Sequence, residues 1–200
     1  MTVCVTGQMA AGKNYVSEIL CGMGFVSVDA DVLAHEAVDL CTDRILEEFS
    51  SLAESRGIAL ADSDGKIIRR NLGALIFTDP ALVKRQEDIV FPKITSMLES
   101  FLEEHSDENV VVNATVLYKL PIISRMDRVI YVEAPMPIRF LRAKKRDSLP
   151  ARQILDRFKR QENLFAKYKI SNADTLKVRN TGSRKSLEKR LKRILFKESF

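Results

Sequence analysis

The chain has 200 residues, 46% hydrophobic and 30% charged, with a net charge of +5. That length suits one domain with small insertions, and the apolar share can bury a sizeable core. No apolar run is long enough for a membrane-spanning helix, and Cys4, Cys21 and Cys41, odd in number and without metal-ligand spacing, read as reduced cytoplasmic thiols rather than a disulfide framework.

Met1 leads straight into Thr2-Val-Cys-Val-Thr6, which leaves no room for a signal peptide and reads as a buried strand. Gly7-Gln-Met-Ala-Ala-Gly12-Lys13-Asn14 follows, and Tyr15, Val16, Ile19 and Leu20 then recur at helical spacing. A glycine loop between a strand and a helix is the setting a P-loop needs. Glycines at its ends let the backbone turn tightly and approach a ligand. The loop residues Gly7, Ala10, Ala11 and Gly12, with Asn14 and Tyr15 opening the helix, then face a phosphate chain, and Lys13 reaches the β and γ phosphates. Asn14 stands where a Ser or Thr hydroxyl normally binds Mg²⁺, and its amide oxygen is the candidate replacement ligand.

Phe25-Val-Ser-Val-Asp29 is a second strand, and a helix is expected after Asp31. Asp31 either caps that helix or orients an attacking hydroxyl and takes its proton, with a second role at the metal. Asp29 supports Mg²⁺, the loop or the acceptor. His35 falls one helical turn beyond Asp31 and either touches substrate, steadies Asp31 or makes a local hydrogen bond. Helices are expected over Thr42–Arg56, Arg69–Phe77, from Pro80, and from Pro92 through Glu104, with a turn at Ala61–Gly65. This block is too long for one crossover, so it forms a helical substrate subdomain. Arg69 and Arg70 are either phosphate ligands or a solvated pair.

Asn109–Asn113, Arg128–Glu133 and Thr175–Arg179 read as strands, and their alternation with helices predicts a parallel α/β sheet. Basic residues crowd between Arg139 and Arg193. They form a solvated surface, a nucleic-acid face or a site for a small anion. No aromatic interleaving accompanies them, so the small anion is preferred. Helices are expected over Ile138–Arg146 and Ala151–Ala166, with Asp147–Pro150 between them. Arg139, Arg142 and Arg146 share one helical face, and two basic helices joined by a turn suggest a lid over ATP. Asn172-Ala173-Asp174 leads into the last strand, and Ser183 caps a final helix through Lys197.

In order and spacing these features resemble the dephospho-coenzyme A kinase family of P-loop NTPases, over nearly the whole chain. The N-terminal P-loop, Asp29-Ala30-Asp31, Gly65-Lys-Ile-Ile-Arg69 with Leu72 and Ile76-Phe77, and Val90-Phe91-Pro92 carry the resemblance. So do Arg139, Arg142, Arg146-Asp147, Gln161, Ala173-Asp174 and Asn180. Asn14, Ile68, Phe91, Thr115 and Lys119 depart from the family pattern. The resemblance implies a three-layer α/β fold, a parallel sheet flanked by helices, as one kinase domain over 1–200. Its core would be 1–35, 106–137 and 167–200, its helical acceptor-binding insertion about 36–105, and its lid about 138–166. It also implies ATP and Mg²⁺, and transfer of phosphate to the ribose 3′-hydroxyl of dephospho-coenzyme A. Lys13, Asp31 and Arg142 would be catalytic; Arg142, Arg146 and Asn180 would join the loop on ATP; and Asp29, Asp31, His35 and Arg69 would serve the acceptor. Asn14 and Asp31 would hold the metal. A small-molecule partner, no nucleic acid or membrane, and a cytoplasmic monomer or small homo-oligomer are expected. Two alternatives stay open: another small-molecule kinase with this fold, acting for example on a nucleoside monophosphate, and a non-catalytic nucleotide-binding protein, which Asn14 and the basic C-terminal third would suit.

Overall fold

The structure is a computed structural model that describes residues 1–147, 149–170 and 174–196. In chain order the elements are β1 (Thr2–Gly7), α1 (Lys13–Cys21), β2 (Phe25–Asp29), α2 (Ala30–Leu40), α3 (Thr42–Ser55), α4 (Arg69–Ile76) and α5 (Pro80–Glu104). They continue as β3 (Asn109–Asn113), β4 (Arg128–Glu133), α6 (Met136–Asp147), α7 (Ala151–Arg160), α8 (Leu164–Ile170), β5 (Thr175–Arg179) and α9 (Arg184–Phe196). Short 3-10 turns at Leu117–Lys119 and Pro121–Arg125 lie between β3 and β4. The chain divides into two compact units, Met1–Asp29 with Phe101–Phe200, and Ala30–Ser100.

The first unit is built on a parallel sheet in the order β2-β3-β1-β4-β5. The β-branched run of β1 takes the centre, where Val3, Cys4 and Val5 are wholly buried, as a parallel strand covered on both faces requires. Val3, Val5, Val111, Ile130 and Val132 pack with Val16, Ile19 and Leu20 of α1 and with Leu187, Leu191 and Leu195 of α9. The register sets Asp29 beside Asn113, Asn113 beside Val5, and Gly7 beside Val132. β2 and β3 therefore end beside Val5, while β1 and β4 run two and three residues further, and open parallel sheets bind ligands at such strand ends.

The second unit contains α2, α3, α4 and most of α5. Ile45, Phe49 and Ala53 line one stripe of α3 and are buried, and α4 contributes Leu72, Leu75 and Ile76. The turn expected at Ala61–Gly65 is present. Asp62 accepts from the Asp64 and Lys66 amides at 3.0 and 2.9 Å. Arg85 pairs with Glu48 and lies over the Phe49 ring.

Several boundaries differ from the sequence expectation. Pro92 does not open a helix; it lies inside the continuous α5. An interior proline costs roughly 3 kcal/mol. Here Pro92 and Asp88, whose carbonyl loses its bond, both face water, while Ile89, Val90, Ile94 and Leu98 are buried along the same helix. Asp31 sits within the first turn of α2 rather than before it. The helix expected over Ala151–Ala166 is two, α7 and α8. The break falls at Gln161, whose carbonyl accepts from the Leu164 amide and the Gln8 side chain instead of continuing an α-helical ladder. α6 starts at Met136 because Pro137 is tolerated in a first turn. Ser183 does cap α9, accepting from the Ser186 amide at 3.3 Å. The expectations for Ser148, Asn172, Ala173 and Lys197 lie outside the described residues.

Candidate phosphate-binding site

The loop after β1 has the backbone its glycines were expected to allow. A Cβ on Gly7 would lie 2.3 Å from the Val132 carbonyl oxygen, and one on Gly12, at φ +99°, would lie 2.1 Å from Asn180 Nδ2. Ala10 also takes a left-handed conformation, at φ +61°, without being a glycine. That costs a residue with a Cβ roughly 1–2 kcal/mol, so the surroundings must hold it. Ala11 N–H bonds back to Gln8 O at 3.0 Å and closes the turn. α1 then starts at Gly12 with no side-chain cap, which leaves its dipole and first-turn amides turned toward an incoming anion.

Residues distant in sequence brace this loop. Gln161 Oε1 accepts from the Met9 amide at 2.6 Å. Arg139 donates to Met9 O at 3.1 Å and to Gln8 Oε1, and its guanidinium stacks 4.1 Å from the Phe158 ring centroid. Burial pulls Arg139 below its ordinary value, the Tyr131 phenol opposing the shift. Asn180, also buried, donates to Ala11 O at 2.9 Å. Arg142 donates to the Ala11 and Asn180 carbonyls at 3.3 and 3.4 Å. Lys13 Nζ donates to Thr115 Oγ1. Tyr168 in turn holds the Thr115 segment, donating to Thr115 O at 3.1 Å and accepting from the Leu117 amide at 3.0 Å.

A cavity of ≈530 Å³ opens over the loop, lined by Gln8, Ala10, Gly12, Lys13, Asn14, Arg142, Lys145 and Arg146. Four of these carry positive charge and none carries negative charge, a composition suited to a polyanion. The three arginines of α6 do not act as one face. Arg139 is buried among loop carbonyls, and only Arg142 and Arg146 line the cavity. Arg146 forks onto Asp147 at 2.6 and 2.9 Å. Through that bond it holds the Asp147 carboxyl below the ordinary carboxylate value.

Asn14 is exposed at the mouth of α1. Its Oδ1 accepts from Asn113 Nδ2 at 3.0 Å, and the same Nδ2 donates to Asp29 Oδ2 at 3.0 Å. Asn113 is buried, and its own Oδ1 has no hydrogen-bond partner among the described residues. The donor set here is all oxygen, as a hard cation requires. No group of three His, Cys, Asp or Glu that could hold a metal is found among the described residues.

Other expected residues fall as follows. Tyr15 lies beside the loop at the start of α1, with Arg184 5.9 Å from its ring centroid. Asn180 supports the loop backbone through its side chain. In the helical unit Asp31 and His35 are exposed on α2, and Arg69 pairs with Asp39. Sequence reasoning missed Lys145, although it falls at i+3 from Arg142. It also missed Gln8 and the amide bridge of Asn113, for which residue type alone gave no signal.

The dephospho-CoA kinase family profile matches residues 1–185. A dephospho-CoA kinase from Treponema denticola is 34% identical over 98% of this chain and 89% of its own. The crystal structure of TT1252 from Thermus thermophilus superposes with a TM-score of 0.80 at 26% identity, over 100% of this chain and 98% of that one. Dephospho-CoA kinase from Campylobacter jejuni, at 23% identity and over 98% and 96% of the two chains, shares the fold with a TM-score of 0.62. The glycine loop at the end of the central strand, the basic cavity over it and these matches agree, and the chain belongs to the dephospho-CoA kinase family.

Proposed function

We propose that this protein transfers the γ-phosphate of ATP to the ribose 3′-hydroxyl of dephospho-coenzyme A, giving coenzyme A and ADP, the last step of coenzyme A synthesis. The observation that carries this reading is the cavity in which the loop and uncapped start of α1 face Lys13, Arg142, Lys145 and Arg146. Phosphoryl transfer asks for placement and charge neutralisation more than for covalent chemistry. In this reading the loop backbone from Gly7 to Gly12 cradles the triphosphate, with Asn14 and Tyr15 at its helical side. Lys13 exchanges Thr115 for a phosphate oxygen. Arg142 and Arg146 neutralise charge on the transferring group. Asn180 acts on the nucleotide through the loop it holds.

Asp31 is assigned the acceptor hydroxyl, which it orients and from which it takes the proton. Arg69 is assigned an acceptor phosphate. Its pair with Asp39 is half exposed and worth little, so an anion can replace it. Asp29 and His35 are assigned to the acceptor's surroundings. When bound, Mg²⁺ would offset phosphate charge and align the terminal group. Asn14 and Asp29, both expected near that ion, each already accept from Asn113, and Asp31 is the metal candidate that remains. Among the described residues no helix is long and apolar enough to cross a membrane. A cytoplasmic monomer or small homo-oligomer with a small-molecule acceptor, and neither nucleic acid nor membrane as partner, completes the proposal.

The test is purified protein with Mg-ATP and dephospho-coenzyme A, read by product mass. A gain of one phosphate on the ribose supports the reading. ADP release only with a nucleoside monophosphate or another acceptor from a panel would reassign the substrate, and no ADP release with any acceptor would overturn the enzyme.

A further inference from the structure

The position after the P-loop lysine raises a question that the family reading does not answer: what an amide does there. Three side chains are tied together. Asp29 Oδ2 and Asn14 Oδ1 both accept from the single nitrogen Asn113 Nδ2, each at 3.0 Å. A carboxylate only accepts, so Asp29 fixes which end of the Asn113 amide faces it. The amide is held this way although its own Oδ1 is buried without a partner among the described residues. Reversing Asn113 would set an oxygen against both a carboxylate and an amide oxygen. The register, which places Asn113 directly beside Asp29 on the neighbouring strand, keeps the two in place.

Asn14 is then fixed in its turn. Its oxygen stays with Asn113, which leaves the NH₂ on the same planar amide carbon to face another partner. Asn14 is exposed and lines the cavity with Lys13 and Arg142. We infer that Asn113 is a positioning residue that locks Asn14 with its NH₂ turned to the nucleotide, so that Asn14 binds a phosphate oxygen directly as a donor. A hydroxyl at this place would reach the phosphate through a metal ion. The amide reaches it without one, and nucleotide affinity is thereby uncoupled from the metal. This inference rests on the cavity taking the ATP phosphates.

Calorimetric binding of ATP to the full chain, in EDTA and in Mg²⁺, tests it. The proteins are wild type, Asn14→Ala, Asn113→Asp and the double variant. Wild type is expected to bind ATP in EDTA within about threefold of its affinity in Mg²⁺. Asn14→Ala should weaken metal-free binding about tenfold, the loss expected for one charge-assisted hydrogen bond. Asn113→Asp presents an acceptor to Asn14, turns the Asn14 NH₂ inward and should weaken metal-free binding by a similar factor. In the Asn14→Ala background the same change should add less than twofold, because it acts through Asn14. A merely structural role for Asn113 would carry the same loss into the Asn14→Ala background.

An Asn14→Ala affinity within twofold of wild type in EDTA, or an undiminished Asn113→Asp effect in the double variant, would each overturn the inference. Should Asn113→Asp not fold, the Asn14→Ala arm decides alone, since that side chain is exposed. Wild-type binding that needs Mg²⁺ by more than tenfold overturns this inference and leaves the nucleotide site standing. No ATP binding in either condition overturns both.

Discussion

The loop of the sheet unit and the polar residues of the helical unit are built in opposite ways. Around Gly7–Asn14, contacts run across the chain: Asn180 to Ala11, Arg139 to Gln8 and Met9, Gln161 to Met9, Asn113 to Asn14. Several of the bracing side chains are buried. In Ala30–Ser100 the candidate acceptor residues Asp31, His35 and Arg69 stand on exposed helix surfaces, and the pair of Arg69 with Asp39 is half open to water. The phosphate side is thus set in advance by the fold, which lowers the cost of ordering it on binding. The candidate acceptor residues stand on exposed surfaces. Substitutions should therefore fall into two classes, those that disturb the loop or its charge and those that disturb one partner.

The largest effect is expected from Lys13→Met. Loss of the charge that meets the phosphates should lower turnover about a thousandfold with the fold retained, read as ADP release and by thermal melting. A loss below tenfold would mean that the cavity arginines suffice. Asp31→Asn should lower kcat about a hundredfold while ATP affinity holds, because it removes a base and leaves the loop alone. If ATP affinity fell as well, the contrast between the two regions would break down.

Next come variants of the bracing. Gly12→Ala places a methyl group against Asn180 Nδ2 at a strained φ and should lower stability by roughly 2–3 kcal/mol. Arg139→Met leaves the Gln8 and Met9 oxygens without their donor and should cost about 2 kcal/mol. For a chain of this size that is a fall of roughly 4–8 °C in Tm. Both should weaken ATP binding, although Arg139 does not line the cavity over the loop. An Arg139→Met protein with wild-type Tm and ATP affinity would show that the bracing does not shape the loop.

The smallest effect concerns Arg146 and Asp147. Because Arg146 holds the Asp147 carboxyl below its ordinary value, the pair contributes stability above the unfolded-chain carboxylate range and loses it as pH falls through the depressed value. At this exposed site the contribution is below ~1 kcal/mol. ATP that recruits Arg146 should release Asp147, so its titration, followed by NMR, should move upward on adding nucleotide. An unmoved titration would remove Arg146 from the phosphate contacts.

What the sequence disclosed follows the same division. The strand, glycine loop and helix start were legible because each depends on local rules: β-branched residues, glycine at tight backbone positions, apolar spacing. The parallel sheet followed from alternation. The long-range partners were not legible. Nothing about Asn113 or Gln8 as residue types shows that a neighbouring strand or a later helix will deliver them to the loop. Arg139 and Arg142 looked equivalent by spacing, yet one lies against Phe158 and the loop carbonyls while the other opens on the cavity. Pro92 misled because a local rule yielded to the burial of its neighbours along α5.

The place of β1 has a consequence for how the protein is made. It leaves the ribosome well before its two neighbours, which begin at Asn109 and Arg128. At ordinary rates of synthesis, Thr2–Gly7 emerges roughly 5–25 s before either edge it needs exists. During that interval an apolar, β-prone segment has no native mate. The strand that leads into the candidate phosphate loop is thus one that gains from a chaperone's shelter at birth.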